Sequence, residues 1–396
     1  MSRKQWILPA AAALLCLCAL LAAGCRDHRA EDRPLTMQTE ETPPAQAEAT
    51  VPLPGVSGLT FERCSAGELL LRWPTTLDAQ TERYRICRRT LPDGRWECLS
   101  EQPAEGGDHQ YHDVLHSDVP QQFLYRIDAV LRDGATTEGE PIPASNLLVC
   151  LDPGHYLNSS TLSGEELYGY GEGLFMLQLG LTLRQTLLTQ YGVSCVMTRE
   201  SDEITIQGYT DADLDLHHLS LRGEFAAGSD LFLSLHTNAN LDNANGYPTC
   251  NQPIAINKTI VFVNQTALQS ESALRLADAI GQAVSEANYS LGLSASDQFR
   301  KTRGGQPSEW SDAFNDALDT PGAVCFRPGE KGDDYYGVLR GAAKVGVPGL
   351  IIEHGFHTSA AVRQAAMQGD LAQIWASADA KGIADAYGFV SAQTLS

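Results

Sequence analysis

Two histidines and two glutamates carry the chemistry that this sequence advertises. The apolar run Leu147-Leu148-Val149-Cys150-Leu151 breaks in Asp152-Pro153-Gly154 and delivers His155. Leu231-Phe232-Leu233-Ser234-Leu235 delivers His236, and Pro348-Gly349-Leu350-Ile351-Ile352 delivers Glu353. A fourth run, Val193-Ser194-Cys195-Val196-Met197, delivers Thr198-Arg199. Short runs rich in branched residues and stopped by turn-formers read as buried strands. In an open α/β sheet the carboxyl ends of the strands are where ligands and metals sit. Histidines and carboxylates gathered there suit a divalent metal that keeps one position open for water. By spacing, a further ligand is expected just after the first strand. Glu172, in Gly169-Tyr170-Gly171-Glu172-Gly173, opens a helix, where the helix dipole favours a carboxylate; Glu165 and Glu166, in the loop before it, are its rivals.

The elements that must position these residues follow from periodicity. From Asn146 to about Phe389 apolar strands alternate with helical stretches, which predicts a mixed, mostly parallel sheet with helices on both faces. Leu174, Leu177, Leu181, Leu187 and Leu188 lie at helical spacing, predicting a helix over 174–189. Ser270 is the expected N-cap of a second helix carrying Leu274, Leu276, Ile280 and Val284. Thr259 to Val263 reads as a strand between His236 and that helix, and the alanine-rich stretch 360–387 as helical packing over the sheet. Residues 292–336 show no clean periodicity, and a loop-rich stretch of that length predicts a groove wall or lid. Residues 54–146 read instead as all-β, with Leu69 to Trp73, Tyr84 to Arg88 and Phe123 to Val130 as short, turn-bounded strands of a sandwich.

Residues 147–389 resemble the zinc-dependent N-acetylmuramoyl-L-alanine amidases of the type-3 family. The resemblance rests on separate blocks in order: Leu151-Asp152-Pro153-Gly154-His155; Glu172 heading a helix that leads to Val196-Met197-Thr198-Arg199; Leu221-Arg222; Asp230 through His236-Thr237-Asn238-Ala239; Val338-Leu339-Arg340; and Pro348 through Glu353-His354-Gly355-Phe356. It implies that His155, Glu172 and His236 hold one Zn2+ per chain and that Glu353 is the catalytic glutamate. It also implies that peptidoglycan is the substrate, cut between N-acetylmuramic acid and the L-alanine of the stem peptide. The residue types agree: zinc acidifies water and polarises a carbonyl, and a glutamate that is not a ligand can move the proton. Three features depart from the family pattern. Ser359 stands where asparagine is usual, Gly173 follows Glu172 where lysine is common, and the region 247–257 is longer than the family core. A zinc carboxypeptidase is disfavoured, because such enzymes place their first ligands as His-x-x-Glu, whereas His155 and Glu172 are far apart in the chain. The competing class is a catalytically silent wall-binding lipoprotein with an amidase fold.

Around the four central residues, Arg340, His357 and Asn238 are candidates for substrate binding, with His357 expected at the cleft rim. His354 neighbours Glu353 on a strand, so the period of two points it to the opposite face. His217 and His218 lie in a polar stretch and read as solvated, and Arg222 as structural.

The rest of the chain places this domain. The formal charge of −21 and isoelectric point near 4.8 disfavour nucleic-acid binding, because an anionic surface repels phosphates. Residues 1–24 carry a basic start (Arg3, Lys4), an apolar stretch and Leu21-Ala22-Ala23-Gly24 before Cys25, and so resemble a lipoprotein signal peptide with Cys25 as the lipidated residue. The expectation is a membrane-anchored protein outside the cytoplasm; the sequence names no activator protein. Residues 25–53, rich in Glu, Pro, Thr and Ala, read as a disordered tether with a reach of roughly 30 Å. Residues 54–146 resemble a fibronectin type III module, with Trp73, Tyr84 and Tyr125 at its marked aromatic positions. The amidase domain then runs over 147–390. Cys87 and Cys98 flank the turn Leu91-Pro92-Asp93-Gly94 and are expected opposite each other, close enough for a disulfide. Cys150 and Cys195 read as small buried hydrophobes in core strands.

Overall fold

Alternation of apolar and polar residues builds the first half of the chain, and continuous apolar runs build the second. A computed structural model describes residues 55–75, 79–117, 119–156, 170–239, 257–300, 306–310 and 320–394. The signal segment, Cys25, the tether, Glu165, Glu166 and all but the last residue of the 247–257 insertion lie outside the described residues.

The N-terminal region forms two antiparallel sheets. One has the order β1-β2-β5, from β1 (Thr60–Ser65), β2 (Glu68–Trp73) and β5 (His109–Val114). The other has β4 (Trp96–Pro103), β3 (Thr81–Thr90), β6 (Gln122–Leu131) and β7 (Thr136–Thr137) in that order, with β8 (Ile142–Ser145) also on β6. Leu69, Leu71, Trp73, Tyr84, Ile86, Tyr125 and Ile127 share one core. Trp73 meets Tyr84 edge to face at 6.0 Å, and the Tyr125 hydroxyl donates to Asp113. Cys87 and Cys98 are register partners on β3 and β4, as their spacing predicts, but both are free thiols: Cys87 is buried against Asp128 while Cys98 faces solvent.

Beside a two-stranded antiparallel ribbon of β11 (Thr205–Ile206) and β12 (Tyr209–Thr210), the second half is built on one mixed sheet of eight strands. Its path runs β10 (Ser194–Met197), β9 (Leu148–Pro153), β13 (Leu231–Asn238), β18 (Gly349–Phe356), β14 (Ile260–Val263), β17 (Gly322–Phe326) and β15 (Phe299–Arg300), with β16 (Ser308–Glu309) also on β17. The pairings are parallel except for β14 against β18. Alternate residues of β9 show why its run is continuously apolar: Val149 and Leu151 pack on one side, Cys150 on the other. Helices α1 (Glu172–Thr186), α5 (Glu271–Ser290) and α8 (Leu371–Tyr387) cover the first face through Phe175, Leu179, Leu276, Ile280 and Trp375. Helices α3 (Leu219–Glu224) and α6 (Gly337–Lys344) lie on the second, where Val338, Leu339 and Ala342 meet Phe232, Phe262 and Ile351. Ser270 caps α5, its Oγ accepting from the Ala273 amide at 3.2 Å. Short helices α2 (Asp211–Leu216), α4 (Gln265–Leu268) and α7 (Ala360–Gln368) complete the layers. Among the described residues no helix is long and apolar enough to cross a membrane.

Three expectations shift. The stretch 292–336 is not loop throughout, because Gly322-Ala323-Val324-Cys325-Phe326 is a buried inner strand too short to show a period. The helix 360–387 is two helices, divided at Gly369 and Asp370. The leucine helix gives way after Thr186 to a π-helical turn, Leu187–Tyr191, closed by Gly192 at φ 68°. Glycine is required there, since a Cβ would stand 2.3 Å from the Ala144 backbone.

That close approach is part of the junction between the halves. Ser145 donates to the Gly192 carbonyl, and the Gln122 amide donates to the carbonyls of Tyr191 and Val390. Arg63 of β1 pairs with Asp230 at 3.1 Å, and Asp230 in turn accepts from the Leu148 amide at the start of β9.

Candidate active site

Three strand ends and one helix start converge at the carboxyl edge of the sheet. His155 follows β9 in the left-handed region, φ 55°, a conformation that turns its ring back over the strand ends. Glu172 is the first residue of α1 and is buried. His236 and Glu353 are register partners on the parallel strands β13 and β18, so the two side chains leave the same face side by side. Donor atoms of His155, Glu172 and His236 all lie within 4.8 Å of one another. Glu172 Oε2 is 3.6 Å from His155 Nε2, and Oε1 is 3.3 Å from His236 Nδ1.

Each ligand candidate is held from behind. Glu172 Oε1 accepts from the Thr237 amide at 2.8 Å. His155 Nδ1 faces Asp215 Oδ2 at 3.5 Å, which leaves Nε2 toward Glu172. Ser234 donates its one proton to Asp152 at 2.7 Å, so its oxygen is left to accept from His236 Nε2 at 3.1 Å, and Nδ1 becomes the free nitrogen. Asp152, fully buried, also accepts from Thr198 at 2.7 Å and from two nitrogens of Arg222. Arg222 reaches on to Asp215 at 3.0 Å. Buried Arg199 donates to the carbonyls of Pro153, Gly154 and Gly173, tying the end of β9 to the start of α1. Such supports fix ring tautomers and orientations around a metal.

The electrostatics match that arrangement. Burial disfavours charge on Glu172, but His155 and its other imidazole neighbours outweigh it and hold the carboxyl down at about 2. Burial works against a charged His155 as well, yet Glu172 and Asp215 lift that ring to about 9. His236 is lowered, by burial foremost and by His155. Glu353 is pushed up to about 8 by burial and by Glu172. Its Oε2 is shielded from solvent with no hydrogen-bond partner. Two imidazoles, one carboxylate and a half-buried carboxyl with a shielded oxygen beside them fit a zinc centre with an adjacent proton carrier.

The sequence profile described as N-acetylmuramoyl-L-alanine amidase matches residues 149–385. The chain belongs to that family. No curated protein matches the chain. Among solved structures, Cwp6 from Clostridium difficile is 18% identical, with 60% of this chain and 29% of that chain covered, at a TM-score of 0.40. The N-acetylmuramoyl-L-alanine amidase AmiC2 of Nostoc punctiforme is 21% identical over 61% of this chain and 97% of that chain, TM-score 0.38. The CwlD amidase from Clostridioides difficile, solved in complex with the GerS lipoprotein, is 16% identical over 61% and 99%, TM-score 0.41.

Within this amidase domain the remaining candidates separate. His357 is not at the rim: it is 2% exposed, lies 3.7 Å from Glu172 Oε2, and contacts Thr237 and the face of Tyr170. The strand β18 ends only at Phe356, so the next residue is still inside the wall of the site. Arg340 is half exposed on α6, where it donates to the Asp334 carbonyl at 2.9 Å and stands 3.6 Å from Asp333. Asn238 ends β13, and its carbonyl accepts from the His357 amide. His354 lies on the opposite face, as its position predicts, between Asp379 at 2.8 Å and the His236 carbonyl at 3.1 Å. His217 is exposed, while the His218 ring lies tilted against Tyr209 at 4.0 Å. The sequence reading did not single out Asp152, Asp215 or Ser234 as supports. The signal was present for two of them: a carboxylate and a hydroxyl inside continuous apolar strands must find buried partners.

Proposed function

We propose that this protein hydrolyses the amide bond between N-acetylmuramic acid and L-alanine in peptidoglycan, using one Zn2+ held by His155, Glu172 and His236. The observation that carries the reading is the convergence of these three donor groups within 4.8 Å, next to Glu353 with its shielded, unpartnered Oε2, in a chain of the amidase family. Bound zinc supplies a Lewis acid for the scissile carbonyl and acidifies water. Glu353 accepts the proton of the attacking water and returns it to the departing L-alanine nitrogen. The Thr237 amide holds Glu172 in place by a hydrogen bond, and Asp215 faces His155 Nδ1 as the counter-charge behind that ring.

The same proposal places the enzyme outside the cytoplasm, lipid-anchored at Cys25, with residues 25–53 as tether and a fibronectin type III-like module at 54–146 that spaces the amidase domain from the membrane. Two sheets around Trp73, Tyr84 and Tyr125 support the module reading, and the apolar stretch before Cys25 supports the anchor.

The test is to incubate the zinc-loaded protein with purified peptidoglycan and to analyse the products by mass spectrometry, with Glu353→Gln alongside. Stem peptides with a free L-alanine amino end, released by the parent and not by the variant, are the expected result. Cleavage elsewhere in the peptide, or binding without release by a protein that holds its zinc, overturns the reading.

A further inference from the structure

A second group of metal-ligating side chains lies far from the catalytic edge, on the face of sheet β1-β2-β5 that points away from the core. Cys64, Glu68 and His112 come one from each strand, and one donor atom of each lies within 4.8 Å of the others. Strand period and register explain the meeting. Phe61, Leu69, Leu71 and Tyr111 face the core, so Glu68 and His112 face outward. Leu70 pairs with His112 and Glu68 with Val114, which makes Glu68 and His112 diagonal neighbours, in reach for long side chains. Cys64 sits in the irregularity between Arg63 and Ser65, where β1 carries one residue more than its partner and so turns the thiol toward Glu68. The Glu68 carboxylate already meets His112 Nδ1 at 2.6 Å, and Cys64 carries a free thiol.

We propose that Cys64, Glu68 and His112 form a second metal site, for a thiophilic divalent ion such as Zn2+, that clips all three strands of this sheet together. A thiolate, an imidazole and a carboxylate select zinc-like ions over calcium or magnesium, and three ligands leave one position for water. At ordinary zinc bond lengths tetrahedral donors lie roughly 3.3–3.7 Å apart, so closure on the ion needs a movement of about 1 Å by side chains that are free to rotate at the surface. Buried Leu70 lies beneath them on β2. The site contains sulfur, which the catalytic group does not, so the two can be read separately.

The experiment is a titration of the metal-free full chain with Co2+ as the probe, following stoichiometry and the near-ultraviolet charge-transfer absorption that only a cobalt thiolate gives. Two ions per chain and a thiolate band are expected. Cys64→Ser should remove one ion and the band while peptidoglycan cleavage stays unchanged. His112→Ala should weaken the band-forming site on the order of 100-fold, since losing even an outer support of a metal ligand costs 10–100-fold. Zn2+ should also raise the unfolding temperature of the parent by more than that of Cys64→Ser, which checks that the variant is folded. One ion with no thiolate band, or a band that survives Cys64→Ser, overturns the proposal. A missing band leaves the amidase reading intact, because that reading rests on the sulfur-free group.

Discussion

Asp152 and Arg222 meet in a two-pronged, fully buried ion pair, with Nε to Oδ1 and Nη2 to Oδ2 both at 3.0 Å. From this pair one arm runs through Ser234 to His236 and the other through Asp215 to His155. The His236 ring is therefore hydrogen-bonded into this buried charge pair, while His155 Nδ1 meets it through Asp215 at ion-pair distance, 3.5 Å.

Removing one partner of that pair leaves a charge without solvent or counter-ion. Arg222→Met is expected to destabilise the protein by about 3–5 kcal/mol, read as a shift of the urea unfolding midpoint, because fully buried Asp152 then loses its ion-pair partner. A change under about 1 kcal/mol would mean that the pair contributes little.

Ser234→Ala deletes the acceptor behind His236 without touching the ligand atom. Zinc affinity should fall about 10–100-fold with the fold retained, measured by competition with a metal-binding dye. Asp215→Asn should act in the same direction through His155. Unchanged affinity in both would show that neither residue tunes the site.

Gly154 admits no side chain. A Cβ there would lie 2.3 Å from the Leu235 carbonyl oxygen and 2.4 Å from His236 Cε1. Gly154→Ala should therefore displace His236 and weaken zinc binding, with a stability loss of about 1–3 kcal/mol from overpacking. Calorimetric metal titration beside thermal unfolding separates the two effects.

Glu353 sets a pH dependence of stability in the metal-free protein. Its pKa of about 8 in the fold exceeds the ordinary carboxylate value, so between about pH 5 and 8 the folded state keeps a proton that the unfolded state has lost. Its contribution is fully present below that window and is lost as pH rises through it. Glu353→Gln, which carries no charge to bury, should lose less stability than the parent over this range. Parallel curves for the two proteins would exclude the effect.

How much of this was legible beforehand varies with the length of the pattern. The strand that leads to His155, the strands that carry His236 and Glu353, the helix opening at Glu172 and the cap at Ser270 all stand in strong local signals: apolar runs, turn-formers and a capping residue. Gly322 to Phe326 escaped because five residues carry too little periodicity to separate strand from loop. His357 was expected at the rim because it follows a strand, yet one further residue remained inside.

The sequence alone marked the longer elements, their order and the positions of His155, Glu172, His236 and Glu353 on or beside them, because those depend on side-chain period and on breakers a few positions apart. Only the tertiary structure decided which nitrogen of each imidazole is free. That depends on Asp152, Asp215, Arg222 and Ser234, which are scattered over 83 positions from 152 to 234 and are brought together by the register of parallel strands and by the cost of burying a charge alone.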